Sequence, residues 1–124
     1  MIFKRKEKTG YKAKYLGGHA AFPKQMKIEL QLMPDHIFIP EMPLKIPYKN
    51  IVNIQSLTKE KLTAMRLLFL NILAFAMKKK KLYMMLSFKD EAGLTHNMIF
   101  DVKKIDEVQP VIYQRMMQAK TIKP

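Results

Sequence analysis

Along most of this 124-residue chain apolar side chains return at every second residue, and near residue 105 the spacing lengthens to three and four. Period two marks a strand with one buried face, and the longer spacing marks a helix with an apolar stripe. Met26-Lys27-Ile28-Glu29-Leu30-Gln31-Leu32 alternates strictly, Pro34-Asp35 turns the chain, and Ile37-Phe38-Ile39 resumes it. Pro40 and Pro43 break that run, because proline has no N–H to give a ladder. Leu44, Ile46 and Tyr48 then alternate, and Ile51, Val52 and Ile54 follow with the β-branched content that suits strands. Leu82–Phe88 is a further strand, and Lys89-Asp90-Glu91-Ala92-Gly93 a hairpin turn with glycine where a positive φ is wanted. The return strand puts Met98, Phe100 and Val102 on one face and Ile99 on the other, pairing antiparallel with Leu82–Phe88. Ile105, Val108, Ile112 and Met116, with Val111 and Ala119 beside them, form one helical face. Asp106 is placed to cap that helix, and Pro110 is expected within its first turn. The fold class expected is therefore mostly β, about seven strands and a C-terminal α-helix.

A chain of this length makes one domain with a real core. Residues 1–14 are expected as a flexible basic arm, 15–120 as the domain and 121–124 as a tail, while residues 56–64, SLTKEKLTA, fit neither period. Cysteine is absent, which excludes disulfides and thiolate metal sites and favours an intracellular setting. Met1-Ile2-Phe3 runs straight into charge without an apolar h-region, so no secretory signal is expected. The apolar run Leu67–Met77 is interrupted by Asn71 and closed by Lys78. As a helix it would reach ~16 Å at ~1.5 Å per residue, whereas a bilayer core takes about 20 residues. It is read as core or interface rather than as an anchor, with the lysines closing a turn before the next apolar segment.

Net charge is +13, from 23 Lys and Arg against 10 Asp and Glu, and such an excess attracts anionic partners. It is uneven: Lys4, Arg5, Lys6, Lys8, Lys12 and Lys14 stand against Glu7 alone in the first fourteen residues, and Lys78, Lys79, Lys80 and Lys81 are consecutive. Lysine far outnumbers arginine, and a point charge lacks the planar fork that reads base edges. The expectation is general attraction to an anionic surface rather than sequence-specific nucleic-acid recognition.

Strands in two groups followed by one closing helix is the element order of the pleckstrin-homology-like (PH-like) fold, and residues carry a resemblance too. YLGGHAAFPKQMKIELQLMPDHIFI resembles the opening of prokaryotic PH-like and GRAM-like domains, where a Gly-Gly-His turn precedes a strand pair. KIPYKNIVNIQ resembles the next strand, and LYMMLSFKDEAGLTHNMIFDV the later hairpin with its Asp-Glu-x-Gly turn. These pieces span Tyr15 to Ala119, and Leu67–Met77 departs from the pattern, with Phe69, Leu70, Asn71 and Phe75 where small residues and glycines are expected. The resemblance implies a bent antiparallel barrel capped by a helix, and a binding module rather than a catalyst. It directs attention to the first strand pair, where Lys24 and Lys27 stand without the usual basic-x-basic signature and its arginine.

No constellation of catalytic residues is visible. His19, His36 and His96 lack metal-ligand spacing and are read as turn or hydrogen-bonding residues, and Asp35 and His36 would face opposite sides of a strand. Gly17-Gly18 lacks the remaining elements of a phosphate loop. Catalytic, cofactor and metal residues are therefore expected to be none. The candidate anion or lipid-surface residues are Lys24, Lys27, Lys78, Lys79, Lys80 and Lys81, and the candidate apolar interface is Phe69, Leu70 and Phe75. The expected partner is an anionic lipid surface, met from the cytoplasm at the inner membrane face. The alternative is protein docking or self-association into a homo-oligomer through Leu67–Met77. Non-specific nucleic-acid binding ranks last, since Phe22, Phe38, Tyr48, Tyr83, Phe88 and Phe100 fall where a core needs them.

Overall fold

A computed structural model describes residues 10–65 and 82–121. Seven strands, β1 (Gly10–Gly17), β2 (Met26–Leu32), β3 (His36–Ile39), β4 (Leu44–Pro47), β5 (Ile51–Leu57), β6 (Tyr83–Lys89) and β7 (Thr95–Val102), form one sheet. Its order is β4-β3-β2-β1-β7-β6-β5, with antiparallel neighbours throughout. A 3-10 turn at Tyr48–Asn50 joins β4 to β5, helix α1 (Lys59–Met65) follows β5, and helix α2 (Ile105–Thr121) closes the chain. The mostly β class, the two strand groups and the closing helix are those expected, and the β6–β7 hairpin pairs as read, with Gly93 at φ 86°.

Inward residues of all seven strands meet in a single core. Tyr11 and Tyr15, Ile28 and Leu30, Ile37 and Ile39, Leu44 and Ile46, Ile51 and Ile54, Met84 and Leu86, and Met98 and Phe100 all contribute. One face of so wide a sheet converges on one cluster only if the sheet bends around it. Val108, Ile112 and Met116 of α2 complete the cluster, four residues apart and 0%, 0% and 5% exposed. Their removal from water stabilises the closure by about 1.5–3 kcal/mol each.

Two features fasten the helices. Thr58 caps α1 through Oγ1, which accepts the Lys61 N–H at 3.3 Å. The Arg115 guanidinium of α2 reaches back over the core and donates through Nη1 to the carbonyls of Leu32 (3.2 Å) and Met33 (2.9 Å) and to the Tyr48 hydroxyl (3.1 Å). Tyr48 in turn donates to the Met33 carbonyl at 2.8 Å.

Several expectations are corrected. The sheet begins at Gly10, so residues 10–14 belong to β1 and not to an arm, with Tyr11 inward and Lys12 and Lys14 outward. Asp106 lies inside the first turn of α2, where its charge favours the helix dipole, while the Lys104 carbonyl accepts the Glu107 and Val108 N–H groups. Pro110 is the sixth residue of α2, past the first turn, so no N–H is available there for the Asp106 carbonyl. Residues 56–64 divide between the end of β5 and α1. Among the described residues, no helix is long and apolar enough to cross a membrane.

Candidate functional site: the lysine face

The strand pleat that buries Tyr11, Tyr15, Ile28 and Leu30 sends their neighbours to the opposite face. Lys12 and Lys14 of β1, Lys27 and Glu29 of β2, and Asp101 of β7 thereby share one outer surface, joined by Lys103 just past β7 and by Glu41. They line a cleft of about 720 Å³. In register Lys12 stands opposite Glu29, and Lys14 stands between Asp101 on one side and Lys27 on the other. Like charges directly opposite on paired strands repel, so the Lys14–Lys27 pair is a local cost that an anion placed between them would relieve. Glu29 is fixed from two directions: its backbone N–H donates to Glu41 Oε1 at 3.1 Å, and Gln31 Nε2 donates to its own carboxylate at 2.9 Å.

Of the candidate lysines, Lys27 lies on this face, whereas Lys24 is exposed in the β1–β2 loop and is not among the residues lining the cleft. Lys78, Lys79, Lys80 and Lys81, and the apolar candidates Phe69, Leu70 and Phe75, lie outside the described residues. Lys12, Lys14 and Lys103 were not singled out as site residues. For Lys12 and Lys14 the signal is the alternation of Tyr11, Ala13 and Tyr15, hidden by the lysines between them.

The outer surface changes character along the sheet. By the ordinary alternation of β1, Tyr15 enters the main core and Leu16 is buried on the other face, and the pairing with β7 shifts register between Tyr15 and Gly17. There Leu16 joins Leu57, Tyr83, Met85 and Ile99 under Leu62 of α1. Charge thus occupies the β2-β1 side of the outer face and apolar packing the β7-β6-β5 side.

A second assembly surrounds the histidines. His19 and His96 stack with ring centroids 4.0 Å apart and planes within 3°, and His96 Nε2 meets Asp90 Oδ2 at 2.7 Å. That hydrogen bond, with further ones from the Leu94 and Ala92 N–H groups, holds the Asp90 carboxyl below its ordinary range. His36 Nδ1 pairs with Asp35 Oδ1 at 2.6 Å and holds that carboxyl low as well. Asp35 is in the turn before β3 and not on the strand, so the alternation that was expected to separate the two side chains does not apply. The Ser87 and Ser56 hydroxyls are engaged with Asn97 and Gln109. Among the described residues no group of three His, Asp or Glu side chains is placed to hold a metal ion. Set against known protein families, curated proteins and solved structures, the chain matches none of them.

Proposed function

We propose that this chain is a non-catalytic interaction module of the PH-like kind that settles on an acidic membrane surface through lysines. One observation carries the reading. The start of β1, the end of β5, the start of β6 and the end of β7 lie at the same end of the sheet, by the registers Leu57 with Tyr83, Met84 with Phe100 and Ala13 with Val102. In the chain, residues 1–9 lead directly into Gly10 and Lys78–Lys81 lead directly into Leu82 before β6, so both basic stretches of sequence connect to described positions at that one end. Lys12, Lys14 and Lys103 stand beside it. Lysines close to an anionic leaflet contribute about 1 kcal/mol each, so several of them suffice for reversible attachment without a dedicated headgroup pocket.

The test is co-sedimentation of the full chain with vesicles of neutral phosphatidylcholine and with vesicles containing phosphatidylserine. Binding to the second alone, reduced at least tenfold when Lys78–Lys81 are changed to Gln and reduced further by Lys14→Gln with Lys27→Gln, is the expected result. Equal binding to both, or to neither, overturns the reading. Mass that rises with protein concentration in the absence of vesicle binding would put self-association in its place.

A further inference from the structure

We propose that His19 and His96 form a pH-sensitive latch that holds the β1–β2 loop, residues 18–25, against the β6–β7 hairpin, and that protonation of His19 releases the loop. The latch is independent of the membrane-surface reading.

The geometry begins with two glycines. Gly17 and Gly18 take φ of 141° and 110°, and the chain at Gly18 runs so close to the Asn97 carbonyl that a Cβ there would overlap its oxygen. This approach delivers the His19 ring face to face onto His96 of β7. Phe22 packs on His19 edgewise at 5.1 Å, and Phe88 of β6 lies 6.2 Å away.

The protonation state of His19 is written in its hydrogen bonds. Nδ1 accepts the Ala21 N–H at 3.1 Å, so it carries a lone pair and the ring proton resides on Nε2. A second proton can enter only at Nδ1. It would end the bond to Ala21, set one N–H against another, and charge a ring stacked on a second imidazole. The loop's other ties run through Tyr15, whose hydroxyl accepts the His19 N–H at 2.9 Å and donates to the Phe22 carbonyl at 2.7 Å. Burial raises the Tyr15 pKa, so those bonds do not respond in the range where imidazoles titrate.

The charged and titratable neighbours of His19 come from four strands and the hairpin turn. His96 of β7 is stacked on it, Asp90 and Glu91 occupy the hairpin turn, Lys89 of β6 and Lys45 of β4 line the adjoining cavity of about 540 Å³, and Tyr15 of β1 is bonded to its N–H. Asp90 alone among them is placed to favour a charged His19, but its carboxylate is already engaged by His96 and by two backbone N–H groups. Burial first and the charge of His96 second lower the His19 pKa, with Asp90 acting the other way. The folded chain therefore binds fewer protons at His19 than the unfolded chain. The latch is fully closed above the unfolded value near 6.5, and loses strength as pH falls from there toward the lower folded value.

The deciding experiment is an NMR titration of the full chain between pH 8 and pH 4.5, following the histidine Cε1 protons and the amides of Gly18 to Gln25. His19 is expected to titrate with a midpoint below 6.5, and the loop amides to shift and lose exchange protection with that same midpoint. In His96→Gln the midpoint of His19 should rise. In His19→Gln the loop amides should show no step across this range. Loop amides that stay unchanged while His19 titrates would overturn the proposal, as would a His19 midpoint at or above 6.5. The wild-type coincidence decides even where a variant fails to fold.

Discussion

At Gly18 the backbone lies in the left-handed half of conformational space and against β7 at once, whereas Gly93, at φ 86°, has open space where its Cβ would be. These two positions separate conformational strain from steric overlap. Gly93→Ala meets only the strain of a positive φ and should cost about 1–2 kcal/mol. Gly18→Ala adds an overlap with backbone, which cannot swing aside as a side chain would, and should cost about 2–4 kcal/mol. Urea denaturation of both variants checks the difference, and equal losses would mean that the loop yields at Gly18. The sequence pair Gly17-Gly18 before a histidine already indicated a special turn. That the turn places His19 on His96, seventy-seven residues further on, depends on β1 pairing with β7, and spacing along the chain carries no trace of it.

At the level of elements, strands with alternating apolar residues and few charges were legible from sequence, and so was the apolar stripe of α2. β1 was not, because Lys12 and Lys14 continue a run of basic residues that looks like an unstructured arm, although Tyr11, Ala13 and Tyr15 alternate beneath them. The attachment of α2 was equally hidden. Its apolar stripe specifies burial but no particular seat, and Arg115 supplies one by joining the helix to the β2–β3 turn and to Tyr48. Hydrogen bonds to a charged group are worth about 1.5–3 kcal/mol, so Arg115→Ala should destabilise the chain by that order. Arg115→Lys should recover little of the loss, since a flexible ammonium replaces a planar guanidinium that lies 5.7 Å from the Tyr48 ring centroid as well as bonding its hydroxyl. Thermal unfolding of both, with Tyr48→Phe to close a double-mutant cycle, reads the coupling. Additive losses would mean that Arg115 and Tyr48 act separately.

On the scale of the whole molecule, charge is distributed against the fold. Residues 10–65 and 82–121 hold 13 Lys and Arg and nine Asp and Glu, a net of +4, so most of the chain's +13 belongs to the remaining residues. The sheet and its helix therefore carry only modest self-repulsion near neutral pH. Acid removes that balance, since protonating carboxylates leaves the lysines uncompensated. Asp35 and Asp90 have folded pKa values below their ordinary 3.8, held there first by hydrogen bonds from His36 and His96. For a depressed carboxylate the stabilisation is complete above the unfolded pKa and disappears as pH falls through the folded one. The predicted profile of unfolding free energy is thus a gentle decline beginning near pH 6.5, set by His19, followed by a steep loss below pH 3.8. Chemical denaturation across pH 2.5 to 8 measures it. Asp90→Asn should flatten the steep limb while lowering stability at pH 7, because the amide cannot be titrated and no longer offers His96 a charged partner. Added salt should move the steep limb to lower pH by screening the uncompensated lysines. A limb that ignores both salt and Asp90→Asn would show that acid unfolds the chain through other carboxylates.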